Sequence, residues 1–317
     1  MCQKCLGKEL LSVCCGEALT KDNKRCSLCN KFCKKVECKS CNTSTLSKIP
    51  NYSFLLYNYF KEVTFNDADH SYWYKGKRLT SATTKKAEVK EPFHREYWLK
   101  YKTLEKTDGV VIQPTGYPYF KINGVTKHYK NVKVDTSDLA TQWEDKKNKG
   151  LARGTAIHKY LEDAWQRKYF TRRSKLLDSI IEDHDHLIPI SLEQIVSDFK
   201  YHGGQVDGIF YDTLTDEIVM IDYKSDRELK FKNKYYTKMK APFKHLDDCN
   251  FNGYTIQLNM YRYMLEPIIP IHKMQIIHIT DETYDKYDID FLNVSKLMNN
   301  DIKRGTFNTK KFSKRDN

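Results

Sequence analysis

The spacing of hydrophobic residues predicts one long helix in the middle of the chain. Within residues 139–170, large apolar side chains return at intervals close to the 3.6-residue turn of an α-helix. This helix contains His158 and Glu162, which lie four residues apart and therefore share one face. The periodic apolar positions are Leu139, Trp143, Leu151, Ala156, Leu161 and Trp165.

The segments after this helix have the pattern of β-strands. Residues 218–221 are continuously apolar, which is expected for a strand that is buried on both faces. Residues 213–216 make a tight connection to the strand before it, so the two strands form a hairpin. An amphipathic helix is predicted at residues 254–265. The predicted strands are residues 192–199, 205–211, 217–224 and 273–279.

Charged residues lie on both strands of this hairpin. Asp222 and Lys224 end its second strand on one face, and Asp207 lies on its first strand. Two carboxylates and an imidazole, such as that of His158, form the hard oxygen and nitrogen site that Mg²⁺ or Mn²⁺ prefers. An ammonium beside such an ion can orient the attacking water or offset charge on a phosphate. Taken singly, the same residues are also typical of a hydrogen-bonded helix histidine, a turn aspartate and charges at a strand end.

Composition adds a positive charge to this picture. The 317 residues include 54 Lys and Arg against 41 Asp and Glu, a formal net charge of +13. Hydrophobic residues make up 40% of the chain, which is enough for a core and excludes a disordered polyelectrolyte. No apolar run approaches the roughly 18 residues of a membrane helix, and the N-terminus lacks the apolar stretch of a secretion signal. We therefore expect a soluble, cytoplasmic protein without a membrane partner, and a polyanion as the first partner to consider.

Nine of the ten cysteines lie within the first 41 residues. Three Cys-x-x-Cys pairs among them have the spacing with which two thiolates reach one tetrahedral metal ion. Because an intracellular chain usually keeps its thiols reduced, we favour structural zinc over disulfides, with an iron–sulfur cluster as a further alternative. Eight thiolates would fill two four-cysteine sites, and the spare one is expected at the adjacent pair Cys14 and Cys15. The candidate zinc ligands are Cys2, Cys5, Cys14, Cys15, Cys26, Cys29, Cys33, Cys38 and Cys41.

Shifts in composition divide the chain into three predicted parts. Residues 1–48 form the cysteine-rich zinc module, residues 49–302 a globular domain and residues 303–317 a basic tail. The polar segment 42–52 is predicted to be a linker between the module and the domain.

Four short motifs follow one another along the globular domain. They are Gly-Thr-x-x-His-x-x-x-Glu at 154–162, Val-Asp-Gly at 206–208, Ile-Asp-Tyr-Lys at 221–224 and Gln-x-x-x-Tyr at 257–261. In this order they resemble the PD-(D/E)XK nuclease superfamily, and its RecB-like branch in the form often encoded by bacteriophages. The resemblance covers roughly residues 65–280, and the motifs are specific jointly although each is weak alone. It implies an α/β fold with a restriction-endonuclease-like core, a mixed central sheet flanked by helices.

The resemblance also implies a role for each motif residue. The metal ligands would be His158, Asp207, Asp222 and the backbone carbonyl of Tyr223, and Lys224 would be the catalytic lysine. Gln257 and Tyr261 would position the scissile phosphate and the surroundings of the lysine. Where the family often has Thr after the lysine, this chain has Ser225, which keeps the hydroxyl. Glu162 and Glu193 are candidates for supporting the ligands, with an exposed position as the alternative for each.

The segment between Lys224 and Gln257 is long and rich in basic residues. Within 227–244 there are seven Lys or Arg against one acid, with aromatic residues between them. Basic groups paired with aromatics suit a phosphate backbone and unstacked bases, whereas the alternative is solvated surface charge. The candidate nucleic-acid-binding residues are Arg227, Lys230, Lys232, Lys234, Tyr235, Tyr236, Lys238 and Lys240.

Together these features predict a deoxyribonuclease that depends on Mg²⁺ or Mn²⁺ and hydrolyses phosphodiester bonds as an exonuclease or an endonuclease. The resemblance implies a phage-encoded protein in the host cytoplasm that acts in DNA processing, replication or recombination, alongside other proteins of those processes. The zinc module would recruit DNA or a protein partner. Two alternatives stay open: a non-catalytic, zinc-containing nucleic-acid-binding protein on a nuclease scaffold, and a zinc-finger factor whose larger domain serves assembly.

Overall fold

A computed structural model describes residues 43–166 and 173–303 of the chain, with side chains from 52 to 166 and from 173 to 299. The nine clustered cysteines and the zinc module predicted for residues 1–48 lie outside the described side chains. The whole basic tail predicted at 303–317 also lies outside them. Zinc binding by this segment therefore stays a prediction.

The described chain contains seven α-helices and eleven β-strands. The helices are α1 (Thr43–Phe60), α2 (Ala82–Lys86), α3 (Arg95–Glu105), α4 (Ser137–Trp165), α5 (Lys175–Asp183), α6 (Asn250–Leu265) and α7 (Ser295–Lys303). The strands are β1 (Val63–Asn66), β2 (Ser71–Tyr74), β3 (Lys77–Ser81), β4 (Ile112–Pro114), β5 (Tyr119–Ile122), β6 (Val125–His128), β7 (Leu187–Ser197), β8 (His202–Asp212), β9 (Glu217–Lys224), β10 (Lys273–Ile279) and β11 (Tyr284–Asp288).

These elements belong to two compact units. The larger one, which we call the sheet unit, comprises the described residues up to Lys90 and from Ile157 onward. The smaller one comprises Glu91–Ala156, and α4 begins in this unit and ends in the sheet unit.

The sheet unit is built on one eight-stranded sheet with the order β1-β2-β3-β8-β9-β10-β11, while β7 pairs with β8. The pairs β3–β8 and β9–β10 are parallel and the others are antiparallel. The sheet is therefore mixed. Helices pack on it, so the predicted α/β fold with a mixed central sheet flanked by helices is confirmed.

Both faces of the central strand β9 are buried, as its apolar run predicts. Ile218 and Met220 belong to one hydrophobic cluster, together with residues of α6, and Val219 and Ile221 belong to a second one. The second cluster also holds Ile157, Leu161 and Trp165 from α4 and Leu177 and Ile180 from α5. Since side chains alternate across a strand, one unbroken apolar run serves two layers of helices.

The small unit has a core of its own. Helix α3 packs on the antiparallel sheet formed by β4, β5 and β6. The buried core residues are mostly aromatic: Tyr97, Tyr101, Phe120, Tyr129 and Val132. No described helix combines the length and apolar character needed to span a bilayer.

The linker predicted at 42–52 is wrong for its described residues, because α1 runs without interruption from Thr43 to Phe60. The polar residues at the start of this segment suggested a loop, but the later part of the helix is fixed by packing. Leu56 and Phe60 are buried in the core of the sheet unit, and Ser53 Oγ donates a hydrogen bond to the carbonyl of Ile190 at 2.6 Å. Tertiary contacts thus extend a helix through a sequence with weak local preference.

Candidate active site

The site begins where strands β8 and β9 part from each other. Their pairing runs from Asp212 opposite Glu217 to Gly208 opposite Ile221 and ends there. One residue further, Asp207 Oδ2 accepts a hydrogen bond from the backbone N–H of Tyr223 at 2.7 Å. A carboxylate therefore replaces the main-chain acceptor at this point, and the bond fixes Asp207 at the open end of the hairpin.

Glu193 reaches the same place from β7 through an unusual backbone. Pairing of β7 with β8 is recorded at every residue from Ser191 to Ser197 except Glu193, which stands across from Asp207. Glu193 has a φ of 50°, in the left-handed region that residues other than glycine seldom adopt. Such a conformation costs on the order of 1–3 kcal/mol, and here it accompanies the approach of the Glu193 carboxylate to Asp207 and His158.

Helix α4 supplies an imidazole to these two carboxylates. His158 Nδ1 lies 3.4 Å from Asp207 Oδ1, and the N–H of Nε2 faces the carbonyl oxygen of Tyr223 at 2.9 Å. One ligand atom from each of His158, Glu193 and Asp207 can be chosen so that all three lie within 4.8 Å of one another. We call these three residues the carboxylate cluster.

The charges of the carboxylate cluster depend strongly on one another. The negative charge of Asp207 raises the pKa of His158 to about 9, although burial of the imidazole acts to lower it. The imidazole is therefore protonated near neutral pH. Burial acts to raise the pKa of Asp207, but the charge and hydrogen bond of His158, the charge of Lys224 and the N–H of Tyr223 together lower that pKa. Burial and the neighbouring Asp207 raise the pKa of Glu193 to about 7. The cluster therefore gathers negative charge, which the proton on His158 and the neighbouring charge of Lys224 offset.

This donor set fits a hard divalent cation. Carboxylate oxygens and an imidazole nitrogen suit Mg²⁺ or Mn²⁺. Two ligands of one octahedral Mg²⁺ lie about 3–4 Å apart, given metal–oxygen distances of about 2.1 Å. The ligand atoms of the cluster lie within 4.8 Å of one another, so small shifts of the side chains would bring them into this range. A cation would also substitute for the His158 proton and relieve the repulsion between the two carboxylates.

Asp222 and Lys224 lie beside the carboxylate cluster. Asp222 is only 2% exposed, and its Oδ2 is in direct contact with Lys224 Nζ. Lys224 Nζ also donates to the carbonyl of Tyr223 at 3.3 Å. Burial raises the pKa of Asp222 against the effect of the lysine, while Asp222 and Asp207 together raise the pKa of Lys224 despite its burial. The pair is therefore a desolvated acid and base in contact with each other.

Helix α6 places two further motif residues in the same region. Gln257 Nε2 donates to Tyr261 Oη at 2.7 Å, and both side chains are buried. The ring of Tyr261 lies directly against the backbone of Gly204, where an added Cβ would be 2.4 Å from Tyr261 Cε1. The glycine in β8 therefore allows α6 to present Gln257 at its observed position.

One residue of the site has no counterpart in the sequence prediction. Lys86, the last residue of α2, donates from Nζ to Gln257 Oε1 at 2.5 Å. Its Nζ lies 4.7 Å from the centre of the Tyr254 ring, and Lys224 Nζ lies 5.0 Å from the same ring centre. In the sequence, Lys86 is one of several lysines between 85 and 90, and nothing there distinguishes it from surface charge.

The structure thus groups the predicted site residues in a particular way. It brings His158, Asp207 and Glu193 into one cluster and puts Asp222 in contact with Lys224 instead. The Tyr223 carbonyl, predicted as a ligand, faces both His158 and Lys224. Glu162 pairs on its own helix with Lys159 at 2.8 Å and accepts from Gln166 at 3.0 Å. The chemical roles assigned to these residues stay predictions.

The basic segment after β9 buries its apolar side chains and exposes its charged ones. Its apolar residues Leu229, Met239 and Phe243 are buried, and the backbone N–H of Lys240 donates to the carbonyl of Val89 at 2.7 Å. Tyr235 and Tyr236 are 59% and 88% exposed. The exposed basic residues are Arg227, Lys230, Lys232, Lys234, Lys238, Lys240 and Lys244. An ordered support therefore displays a basic and aromatic surface.

No protein-family model matches the sequence, and no curated protein does so significantly. Among solved structures, one described as "Crystal structure of SSO0001" shows 17% sequence identity and covers 41% of this chain, with a TM-score of 0.24. The match spans 56% of that chain, a little over half of its length. Similarity at this TM-score carries no conclusion about fold or function, so the geometry of the site is what any functional proposal must rest on.

Proposed function

We propose that this protein is a metal-dependent nuclease of the PD-(D/E)XK type with a restriction-endonuclease-like core, and that its substrate is DNA. One observation carries the proposal. An imidazole from α4 and carboxylates from β7 and β8 meet at the parting of β8 and β9, directly beside the buried pair of Asp222 and Lys224. The order of the four sequence motifs supports the same assignment.

Mg²⁺ or Mn²⁺ would be held by His158, Glu193 and Asp207, with Asp222 and the Tyr223 carbonyl as neighbours that complete or adjust the site. When bound, such an ion lowers the pKa of a water ligand and offsets charge on a phosphate. Glu193 enters this set because of its position in the cluster, whereas the motif resemblance alone implies Asp222.

Lys224 would donate a hydrogen bond to the attacking water, and Asp222 would hold Lys224 in position. The ammonium of Lys224 is held by Asp222 and by the carbonyl of Tyr223, so its N–H bonds have fixed directions. A water that accepts from Lys224 Nζ would be oriented for attack on phosphorus, and the same ammonium would offset the developing negative charge. Gln257, whose orientation Tyr261 fixes, would face the phosphate from α6.

The basic segment after β9 would bind the DNA strand on either side of the cleaved bond. Its exposed lysines suit phosphates, and Tyr235 and Tyr236 offer ring faces on which unstacked bases can lie. Residues 1–48, as the proposed zinc module, would recruit DNA or a protein partner. A phage origin, and a role in DNA replication or recombination in the host cytoplasm, are part of this proposal through the motif resemblance alone.

Cleavage of labelled single-stranded, duplex and nicked DNA in Mg²⁺ tests the proposal. The wild-type protein should cut at least one of these substrates, while Asp222→Ala and Lys224→Ala should fold and bind DNA without cutting it. Asp285→Asn, at an exposed carboxylate on β11, is the matched control and should cut normally. If the wild-type protein bound DNA but cut none of the substrates, the non-catalytic binding protein would be the correct alternative.

A further inference from the structure

Lys86 differs from the lysines near it in the groups that its ammonium contacts. Lys85 is fully buried and pairs with Glu88 at 3.1 Å, Lys90 pairs with Asp248 at 3.1 Å, and Lys224 contacts Asp222. Within the described part of the chain, Lys86 forms no ion pair. Its recorded partners are the neutral amide of Gln257 and the ring of Tyr254.

The position of Lys86 is electrostatically unfavourable as it stands. Its ammonium and that of Lys224 lie over the same Tyr254 ring, at 4.7 and 5.0 Å from its centre. Burial and the charge of Lys224 lower the pKa of Lys86 to about 7, against the opposite effect of Asp222. A protein that needed Lys86 only for packing would be more stable with an uncharged side chain at this position.

An anion would satisfy the three groups that converge here. Lys86 and Lys224 supply ammonium donors, and the Gln257 amide lies between α6 and α2, bonded to both Lys86 and Tyr261. A tetrahedral oxyanion has several acceptor oxygens and can take bonds from both lysines at once. The Tyr254 ring closes the site on one side, and its hydroxyl donates to the carboxylate of Asp226.

We propose that Lys86 is a phosphate-binding residue, which gives up its bond to Gln257 and donates to a non-bridging oxygen of a nucleic-acid phosphate that Lys224 also contacts. The inference rests on the proposed function for the identity of the anion as a phosphodiester. It adds a second cation to the site, from an element that none of the four sequence motifs includes. The phosphate is then bound from the side of α2 and α6 by positively charged lysines, whereas the carboxylate cluster is negatively charged.

DNA affinity and cleavage measured separately on Lys86 variants of the full chain test this inference. Lys86→Met should weaken binding of a fluorescein-labelled oligonucleotide in EDTA by about tenfold or more, because a charged hydrogen bond is lost. Lys86→Arg should restore much of the affinity. The control is Lys77→Met, a lysine whose recorded partners are the Lys200 carbonyl and the Tyr201 ring. It should bind as wild type does.

The outcomes separate this inference from the nuclease proposal. If the wild-type protein cleaves DNA while Lys86→Met binds and cleaves like Lys77→Met, the role of Lys86 is refuted and the nuclease stands. If nothing cleaves DNA but Lys86→Met still loses affinity, the phosphate site stands and the nuclease proposal fails. Thermal unfolding of each variant checks the fold, and Lys86→Gln, which keeps a polar group at the position, replaces Lys86→Met should the latter not fold.

Discussion

Two groups of opposite charge meet at the open end of β8 and β9, and the protein holds them in different ways. The carboxylate cluster is fixed by backbone: Asp207 binds the N–H of Tyr223, and His158 faces its carbonyl. The lysines are held mainly by side chains: Lys86 by Gln257, and Lys224 by Asp222, with the Tyr223 carbonyl as a further acceptor for Lys224. Hence we expect the carboxylate cluster to tolerate little change in geometry and the lysines to tolerate more.

The difference matches what each group would bind. Mg²⁺ requires nearly ideal octahedral geometry, so its ligands must be positioned to within a few tenths of an ångström. A lysine ammonium acts on phosphate as a point charge at the end of a flexible stem, so it can follow the substrate. Strands β7 and β8 and the long helix α4 therefore carry the first group, and the end of the five-residue helix α2 carries Lys86.

The largest expected effect comes from neutralising Asp207 in the carboxylate cluster. Asp207→Asn keeps the size of the side chain and an oxygen that can accept from Tyr223, but it removes the charge that the cation needs. We expect single-turnover cleavage in Mg²⁺ to fall by about 1,000-fold or more, at the upper end of losses for a site electrostatic contact. The midpoint of thermal unfolding reports whether the fold persists. A loss below tenfold in a folded variant would contradict the assignment of Asp207.

The second prediction concerns the proton that the cation must displace. Asp207 raises the pKa of His158 to about 9, so at pH 7 the metal-free imidazole is protonated and cannot be a ligand. Raising the pH from 7 to 9 takes the metal-free imidazole from almost fully protonated to about half protonated, so Mn²⁺ affinity should rise by up to about tenfold per pH unit in that range. Isothermal titration calorimetry at several pH values, in buffers of different ionisation enthalpy, measures both the affinity and the number of protons released.

The matched control for this prediction is His158→Gln, which removes the titrating imidazole. Its Mn²⁺ affinity should be lower at pH 9 and should depend less on pH, because only Glu193, with a pKa of about 7, still contributes near neutrality. The same steep pH dependence in His158→Gln would show that another group controls binding.

Much of the fold could be predicted because local pattern and tertiary role agree there. Strands β9 and β10 occur where the sequence predicts them, and α6 (Asn250–Leu265) contains its predicted range 254–265 and ends with it. In those segments the spacing of the apolar residues alone indicates which faces of the helix or strand are buried against neighbouring layers. The segment 42–52 shows the reverse case, since α1 depends on contacts made by Leu56 and Phe60 further along the helix.

The site could be predicted only where it consists of adjacent residues. Asp222 and Lys224 share a strand face, so their contact follows from the spacing of two. Glu193 joins the cluster through a left-handed backbone for which a glutamate gives no signal. Lys86 meets Gln257 across 171 positions of sequence, through the packing of α2 on α6. A single sequence contains no pattern for such a contact.

The smallest expected effect concerns the contact between Gly204 and Tyr261, which fixes the position of Gln257 beside Lys86. In Gly204→Ala, the new Cβ would stand 2.4 Å from Tyr261 Cε1, and the ring is buried too deeply to turn away freely. We expect a loss of about 1–3 kcal/mol in the free energy of unfolding, as for other overpacked cores, together with weaker DNA binding as Gln257 shifts with Tyr261. In Gly150→Ala on α4, an added Cβ meets nothing within 4 Å, so this control should gain about 0.5–1 kcal/mol from helix propensity. Urea unfolding gives both values. Equal stability of the two variants would mean that Tyr261 can move, and that Gly204 does not determine where α6 presents Gln257 to the lysines.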